Sequence, residues 1–289
     1  MSIHEASNRI GVPAELRDFG DRHVAGALKL TQEMGWPYRL EDWEVAARLG
    51  KGLVLERAGE VIGTALWWTY GQSFATAGMI IITGTEQGRG HGARLFNALL
   101  AATEGRNLLL NSTDEGYPLY ARRGFTPWGR VLQHQGQFAA DAELPARPHG
   151  IRSATPADLA AIQRIDEGAS GMPRSEMVAT LAGMGRVMVV ERAGQIAGYS
   201  IARKFGRGHV VGPVAAQDAE DARQLILAQL AELRGEYVRI DVYAHDGLGD
   251  WLAGLGLVCT GQAAAMVKGQ QPVTDGAIRI FALANQSFG

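Results

Sequence analysis

The sequence holds a single cysteine, Cys259, among 289 residues. An intrachain disulfide is therefore excluded, and there is no cysteine cluster to hold zinc. In the apolar stretch LGLVCTG the expectation for that thiol is burial in a core. Neither charge sign dominates: 28 Lys and Arg against 30 Asp and Glu leave a formal charge of −2. Nothing in that balance attracts nucleic acid or an anionic membrane. Long hydrophobic runs are missing as well, since no segment approaches the ~20 apolar residues of a membrane span. The opening MSIHEASNRIGVPAELRD lacks the apolar centre of a signal peptide. The expectation is a cytoplasmic protein with no nucleic-acid, membrane or metal partner. What the chain does have is 46% apolar residues and a length suited to about two domains.

Periodicity divides the first half into short elements. Ala25–Met34 and Glu41–Leu49 read as helices; the second opens on acidic residues and closes at Gly50. Leu53–Glu56 and Val61–Tyr70 read as strands joined by a hairpin at Ala58-Gly59. Ala75–Ile82 is a third strand and Ala93–Thr103 a helix. Leu108–Asn111, Pro118–Arg122 and Val131–Gln135 follow as strand, short helix and strand. The stretch 137–150, with two prolines and no periodic apolar pattern, reads as a linker.

After the linker the order repeats. ERAGEVIG at Glu56–Gly63 returns as ERAGQIAG at Glu191–Gly198, 135 residues later, and LYARRGF at Leu119–Phe125 has a loose echo at Asp250–Leu257. So long a period signals duplicated domains rather than a solenoid. The expected fold is mixed α/β, with halves at 1–136 and 151–289.

The densest glycine segment is TGTEQGRGHGARLF, Thr83–Phe96, with four glycines between Gly84 and Gly92. A strand, a glycine-rich turn and a helix form an anion site, because the first amides of a helix have no intrahelical partner and its dipole is positive there. Glycines let consecutive amides wrap a pyrophosphate, and Arg89 adds charge from the side. A P-loop is excluded because the segment ends Gly-Ala-Arg instead of Gly-Lys-Ser/Thr. A dinucleotide fingerprint fits poorly, because the spacing is G-x-G-x-G and the preceding strands read as hairpins.

Gln87-Gly88-Arg89-Gly90-His91-Gly92 resembles the Q/R-x-x-G-x-G/A motif of the GNAT superfamily, the amine N-acetyltransferases that use acetyl-CoA. Leu119–Phe125 resembles that superfamily's late lYxxxGF segment. The resemblance implies two tandem GNAT-like domains, each a mostly antiparallel twisted sheet flanked by helices, with a splayed central strand pair. It assigns acetyl-CoA to Ile82, Gln87, Gly88, Arg89, Gly90, His91, Gly92 and Ala93; where the superfamily often carries an asparagine near Thr113, this chain has NSTDEGYP, and Asn111, Ser112 or Thr113 is expected to make that contact. The pantetheine arm is expected in the gap between the strand ending at Ile82 and the strand Leu108–Asn111. The resemblance makes Tyr120 the proton donor to the departing thiolate. No general base is named; Glu86 and Asp114 flank the motifs and read as solvated loop charges.

Aromatic residues crowd the expected acceptor side. Trp36, Trp68 and Tyr70 read as substrate-binding, with core packing as the alternative for each. In the second half the sequence sets Q-D-A-E-D-A, Gln217–Ala222, against Q-G-R-G-H-G. Carboxylates there repel a pyrophosphate, and Trp251 replaces the late tyrosine. The expectation is an N-acetyltransferase for a small-molecule primary amine, active in its first half only. Its second half shapes the acceptor pocket or imitates a dimer partner, in a monomer or a homodimer. The rival expectations are a non-catalytic acyl-CoA-binding or sensing protein and a nucleotide-binding domain.

Overall fold

A computed structural model of the chain describes residues 12–144 and 150–289. Most of the polar opening, and residues 145–149 of the expected linker, lie outside the described residues. Contacts divide the chain into two compact units. One comprises residues up to 69 together with 77–106; the other comprises 70–76 and 107–289.

The first unit is built from β1 (Glu15–Asp18), α1 (Val24–Glu33), α2 (Leu40–Leu49), β2 (Lys51–Arg57), β3 (Glu60–Tyr70), β4 (Phe74–Ile82) and α3 (His91–Ala102), the last residue of β3 and the first three of β4 counting with the other unit. The strands lie in chain order, β1-β2-β3-β4. Ala58 and Gly59, at φ 49° and 78°, turn β2 back onto β3; positive φ at both central residues matches the right-handed twist of the flanking strands. Helix periodicity shows in what is buried: Val24, Ala27 and Leu30 on α1, and Leu95, Phe96 and Leu99 on α3.

The second unit continues with β5 (Asn107–Ser112), α4 (Tyr117–Ala121), β6 (Thr126–Gln137), β7 (Ile151–Ser153), α5 (Leu159–Ser170), α6 (Ser175–Met184), β8 (Arg186–Arg192), β9 (Gln195–Phe205), β10 (Gly208–Ala216), α7 (Ala219–Ala231), β11 (Tyr237–Tyr243), α8 (Gly249–Gly254), β12 (Val258–Lys268) and β13 (Arg279–Ala282). Its strand order is β5-β12-β6-β11-β13-β10-β9-β8-β7. Helix α7 buries Ala222, Leu225 and Ile226 in a core with Val190, Val211 and Ile240. Asp166 on α5 accepts from Arg174 Nε and Nη2 at 3.0 and 2.8 Å and from the Tyr199 hydroxyl. Both side chains of that ion pair are 1% exposed.

Two pairings in this unit have no counterpart in the sequence reading. Strand β12 lies between β5 and β6, with Ala264–Lys268 against Ser112–Leu108 and Val258–Val267 against Gln135–Thr126. The last two strands of the first repeat therefore belong to the second unit's sheet. The compact units are a division of packing, and 1–136 with 151–289 a division of sequence. Strand β13 is the other case. The parallel strands β10 and β11 pair only where His209 and Val210 face Val238 and Arg239. Beyond that point they part, and β13 lies between them: Val214–Ala216 face Ala282–Arg279, and Val242 faces Ala282. Leu283 N donates to Asp241 O at 2.9 Å. Gly212 permits the approach, since a Cβ there collides with the Leu283 carbonyl.

Cys259 corrects an expectation. It is exposed, not a core thiol. Residues Val258–Gln262, the outer half of β12, are exposed on both faces, and Val258 itself is 54% exposed. Among the described residues no helix is long and apolar enough to cross a membrane.

Candidate functional site

The glycine segment lies in the first unit, between β4 and α3. A 3-10 turn at Gly84–Glu86 leads into it, and Gln87 Nε2 donates back to Ile82 O at 3.1 Å. Gly88 has φ +75° and Gly90 φ +80°, with no atom within 4 Å of where a Cβ would stand. Backbone conformation, not crowding, selects glycine there. Gly90 caps α3 without any side-chain hydrogen bond. The first intrahelical bond is Arg94 N to Gly90 O, 3.0 Å. The amides of His91, Gly92 and Ala93 are thus first-turn groups without intrahelical acceptors, and the residues from Gln87 to Gly90 are exposed. Such a turn can hold an anion with backbone alone.

Glu86 is not the solvated loop charge the sequence suggested. It is 7% exposed and pairs with Arg57 of β2. Its other oxygen stands 3.4 Å from His91 Nε2 and 3.8 Å from Arg89 Nη1. This pairing anchors the base of the loop and leaves Glu86 poorly placed to act as a free base. The Arg89 side chain remains 47% exposed. Asp114 is exposed, as expected.

The remaining cofactor candidates and Tyr120 belong to the second unit. Asn111 Nδ2 donates to Gln286 O at 2.8 Å, and Thr113 Oγ1 accepts from Gly116 N at 3.3 Å. Tyr120 on α4 is 8% exposed and packs against Phe125 with ring centroids 6.1 Å apart. Burial pushes its phenol up to about 12, so the hydroxyl keeps its proton at neutral pH.

The aromatic candidates divide. Trp68 is 1% exposed and spends its indole N–H on Ala46 O at 3.0 Å. Tyr70 is 4% exposed and its hydroxyl donates to Phe288 O at 2.8 Å. Both are buried with their polar atoms satisfied within the fold, as is usual for buried groups. Trp36 is half-buried, 6.5 Å from the Tyr38 ring.

The equivalent place in the second repeat is built differently. Eight residues, 83–90, separate β4 from α3, but only Gln217 and Asp218 separate β10 from α7. Setting Gln217–Ala222 against Gln87–Gly92 is therefore corrected: six residues of the loop are absent, and Asp218 is already the helix cap. Its carboxylate accepts from Asp221 N at 2.8 Å. Asp221 pairs with Arg192, and its carboxyl is raised chiefly by burial, against the pull of that arginine. Among the described residues no three His, Cys, Asp or Glu side chains stand together as a metal site.

Comparison with known proteins matches this architecture on both halves. Two distinct family models, each described as an acetyltransferase (GNAT) domain, match residues 49–127 and 162–282. The uncharacterised N-acetyltransferase YitH of Bacillus subtilis is 27% identical over 289 residues, covering 95% of this chain and 98% of YitH. A crystal structure of an acetyltransferase candidate from Pyrococcus horikoshii superposes with a TM-score of 0.77 at 17% identity, covering 96% of each chain. A tandem GNAT protein from the clavulanic acid biosynthesis pathway superposes with a TM-score of 0.65 at 16% identity, covering 90% of this chain and all of the other (100%).

Proposed function

The chain belongs to the GNAT superfamily of acyltransferases and carries its domain twice, and from that premise we propose an acetyl-CoA-dependent N-acetyltransferase acting on the primary amine of a small molecule. The first repeat alone holds the cofactor. The observation that carries this reading is the open turn Gln87–Gly90, with Gly88 and Gly90 at positive φ ahead of an uncapped helix. A pyrophosphate fits such a turn; the second repeat offers only Gln217 and Asp218, a loop six residues shorter. The splay that would accept pantetheine in that repeat is filled by β13.

Acetyl-CoA supplies the acyl carbon and a thiolate leaving group. The amides of Gly88–Gly92 and the exposed Arg89 grip its diphosphate, and the backbone around Ile82 orients the thioester arm. Tyr120, kept protonated by burial, donates to the thiolate as the amine nitrogen takes the acetyl group. The amine must first lose a proton, because a free alkyl ammonium has a pKa of ~10.4.

Isothermal titration with acetyl-CoA tests the reading. The expected stoichiometry is one per chain, and saturation at about 100 times the Kd adds ~2.7 kcal/mol of stability. Thiol release with an amine panel is expected from the same preparation. Two sites per chain, or binding that survives in a Gly88→Val, Gly90→Val double variant, overturns it. Binding without thiol release from any amine turns it into the sensing alternative.

A further inference from the structure

A cavity of about 230 Å³ lies wholly within the second compact unit, between β5, β11, the end of α5 and the chain around β13. Leu109, Met172, Leu283 and the rings of Trp128 and Tyr243 make much of its wall apolar. The two rings stand 5.1 Å apart at 51°. For scale, a cavity of ~150 Å³ admits benzene, so this one suits roughly nine or ten non-hydrogen atoms.

One charged group faces this space with donors to spare. Arg174 is 2% exposed. Asp166 takes one edge of its guanidinium, Nε and Nη2, at 3.0 and 2.8 Å, and the Tyr199 hydroxyl holds Asp166 in turn. The opposite edge, Nη1 with the second hydrogen of Nη2, is left over. Among the described residues nothing accepts from Nη1, and unlike Asp246 Oδ2 or Trp128 Nε1 it is not sealed from water. It stands 3.4 Å from where a Cβ on Gly289 would lie, and Arg174 and Gly289 both line the cavity.

No second acid competes for that edge. Among the described residues Asp166 is the one carboxylate within 4 Å of this guanidinium. Asp246, the other acid of the lining, lies between Arg279 and His245, its side chain 2% exposed. Buried polar groups are normally paired, so an arginine fixed on one edge and bare on the other is set to receive an acceptor from the cavity. Burial raises the Tyr243 phenol while Arg174 pulls it down, which puts the aromatic wall within electrostatic range of the guanidinium. The edge offers two parallel N–H donors, the match of a carboxylate's two oxygens. A phosphate needs more donors than one edge in an apolar wall supplies.

We propose that this cavity binds a small monocarboxylate with a planar apolar body, its two oxygens on the Nη1–Nη2 edge of Arg174 and its body against Trp128 and Tyr243. In the N-acetyltransferase reading, on which this clause rests, that carboxylate is the acceptor's recognition handle, separate from the atom acetylated. Arg174 is then a specificity residue supplied by the repeat that lacks the glycine turn.

The probes are phenylacetate and its neutral isostere phenylacetamide, titrated calorimetrically into the full-length protein with and without CoA. The wild type is expected to bind the carboxylate at least about tenfold more tightly than the amide, since hydrogen bonds between charged partners are stronger by roughly that factor. Arg174→Lys keeps a cation beside Asp166 but has no second edge, and is expected to erase the preference while its circular dichroism is unchanged. Ala169→Leu extends a cavity wall inward and is expected to weaken both probes about tenfold, which tests the location whether or not the lysine variant folds. Equal binding of the two probes to the wild type, no heat from either at millimolar concentration, a preference that persists in folded Arg174→Lys, or an Ala169→Leu variant that binds both as before overturns the proposal. Phenylacetate bound while no amine yields free thiol sinks the transferase reading and leaves the carboxylate site. Thiol release that saturating phenylacetate does not slow keeps the transferase reading and overturns the acceptor assignment.

Discussion

The same hairpin follows the first two helices of each repeat, and it has kept its parts in both. Strands β2 and β8 each span seven residues and β3 and β9 eleven, at a constant offset of 135. Ala58-Gly59 and Ala193-Gly194 turn with φ of 49°, 78° and 51°, 76°. Arg57 and Arg192 each pair with an acid 29 residues on, Glu86 and Asp221. Around that acid the repeats part, since Glu86 precedes the helix and Asp221 lies in its first turn. One continues into an exposed glycine turn, and the other is capped at once by Asp218. Scaffold and ligand site are thus separable: what stabilises the sheet is duplicated, and what would grip a diphosphate is not.

The largest expected effect that sharpens this contrast is catalytic. Tyr120→Phe is expected to lower kcat by about 10²- to 10⁴-fold, the usual span for a lost general acid, with acetyl-CoA affinity unchanged by calorimetry. Trp251→Phe, at the corresponding place of the other repeat, is expected to leave kcat as it is. A Tyr120→Phe enzyme that releases thiol at the wild-type rate removes this tyrosine from the mechanism.

Next in size are two tests of buried groups in the second unit. Arg174→Met leaves Asp166 buried without its cation and is expected to cost about 3–5 kcal/mol in urea unfolding. Alkaline pH probes the buried phenols. Tyr70 and Tyr120 are both raised by burial to about 12. A raised folded value means that the native state holds the proton longer. The stabilisation is therefore complete below the unfolded value near ~10 and is lost as pH climbs from there through about 12. Each tyrosine contributes on the order of 2–3 kcal/mol to that loss. Absorbance titration near 295 nm should show these phenols ionising late, together with unfolding; two early, independent ionisations would contradict their burial.

The smallest effects separate the two helix starts. Gly90→Val forces a side chain into a left-handed backbone, at about 1–2 kcal/mol, and is expected to weaken acetyl-CoA at least tenfold. Asp218→Ala removes a cap, is expected to lower stability by ~1 kcal/mol, and should not change acetyl-CoA binding. An effect of Asp218→Ala on cofactor affinity would mean that the second repeat also takes part in holding it.

Local features were readable from the sequence because local physics decides them. The hairpin needed a dipeptide tolerant of positive φ, and Ala58-Gly59 supplied it. The helices declared themselves by apolar spacing, as Ala27 and Leu30 show. The insertion of β12 between β5 and β6 was not readable, since its partners lie some 150 residues upstream and an apolar strand does not name its neighbour. The shortened loop misled because Gln87 and Gln217 look alike while the helix starts four residues after one and two after the other. Trp68 and Tyr70 fit a lining role and a core role equally well in sequence, because aromaticity cannot tell a wall from a core.

Strand β13 also sets a condition on any attempt to give the protein two working centres. Transplanting Thr83–Gly90 between Ala216 and Asp218 would restore a cradle for inorganic pyrophosphate. The peptide from Arg279 to Leu283 would still occupy the cleft beyond it, bonded to both neighbouring strands. On the proposed reading such a hybrid is expected to grip phosphates and acylate nothing there, since the strand would bar the thioester arm however the loop is rebuilt.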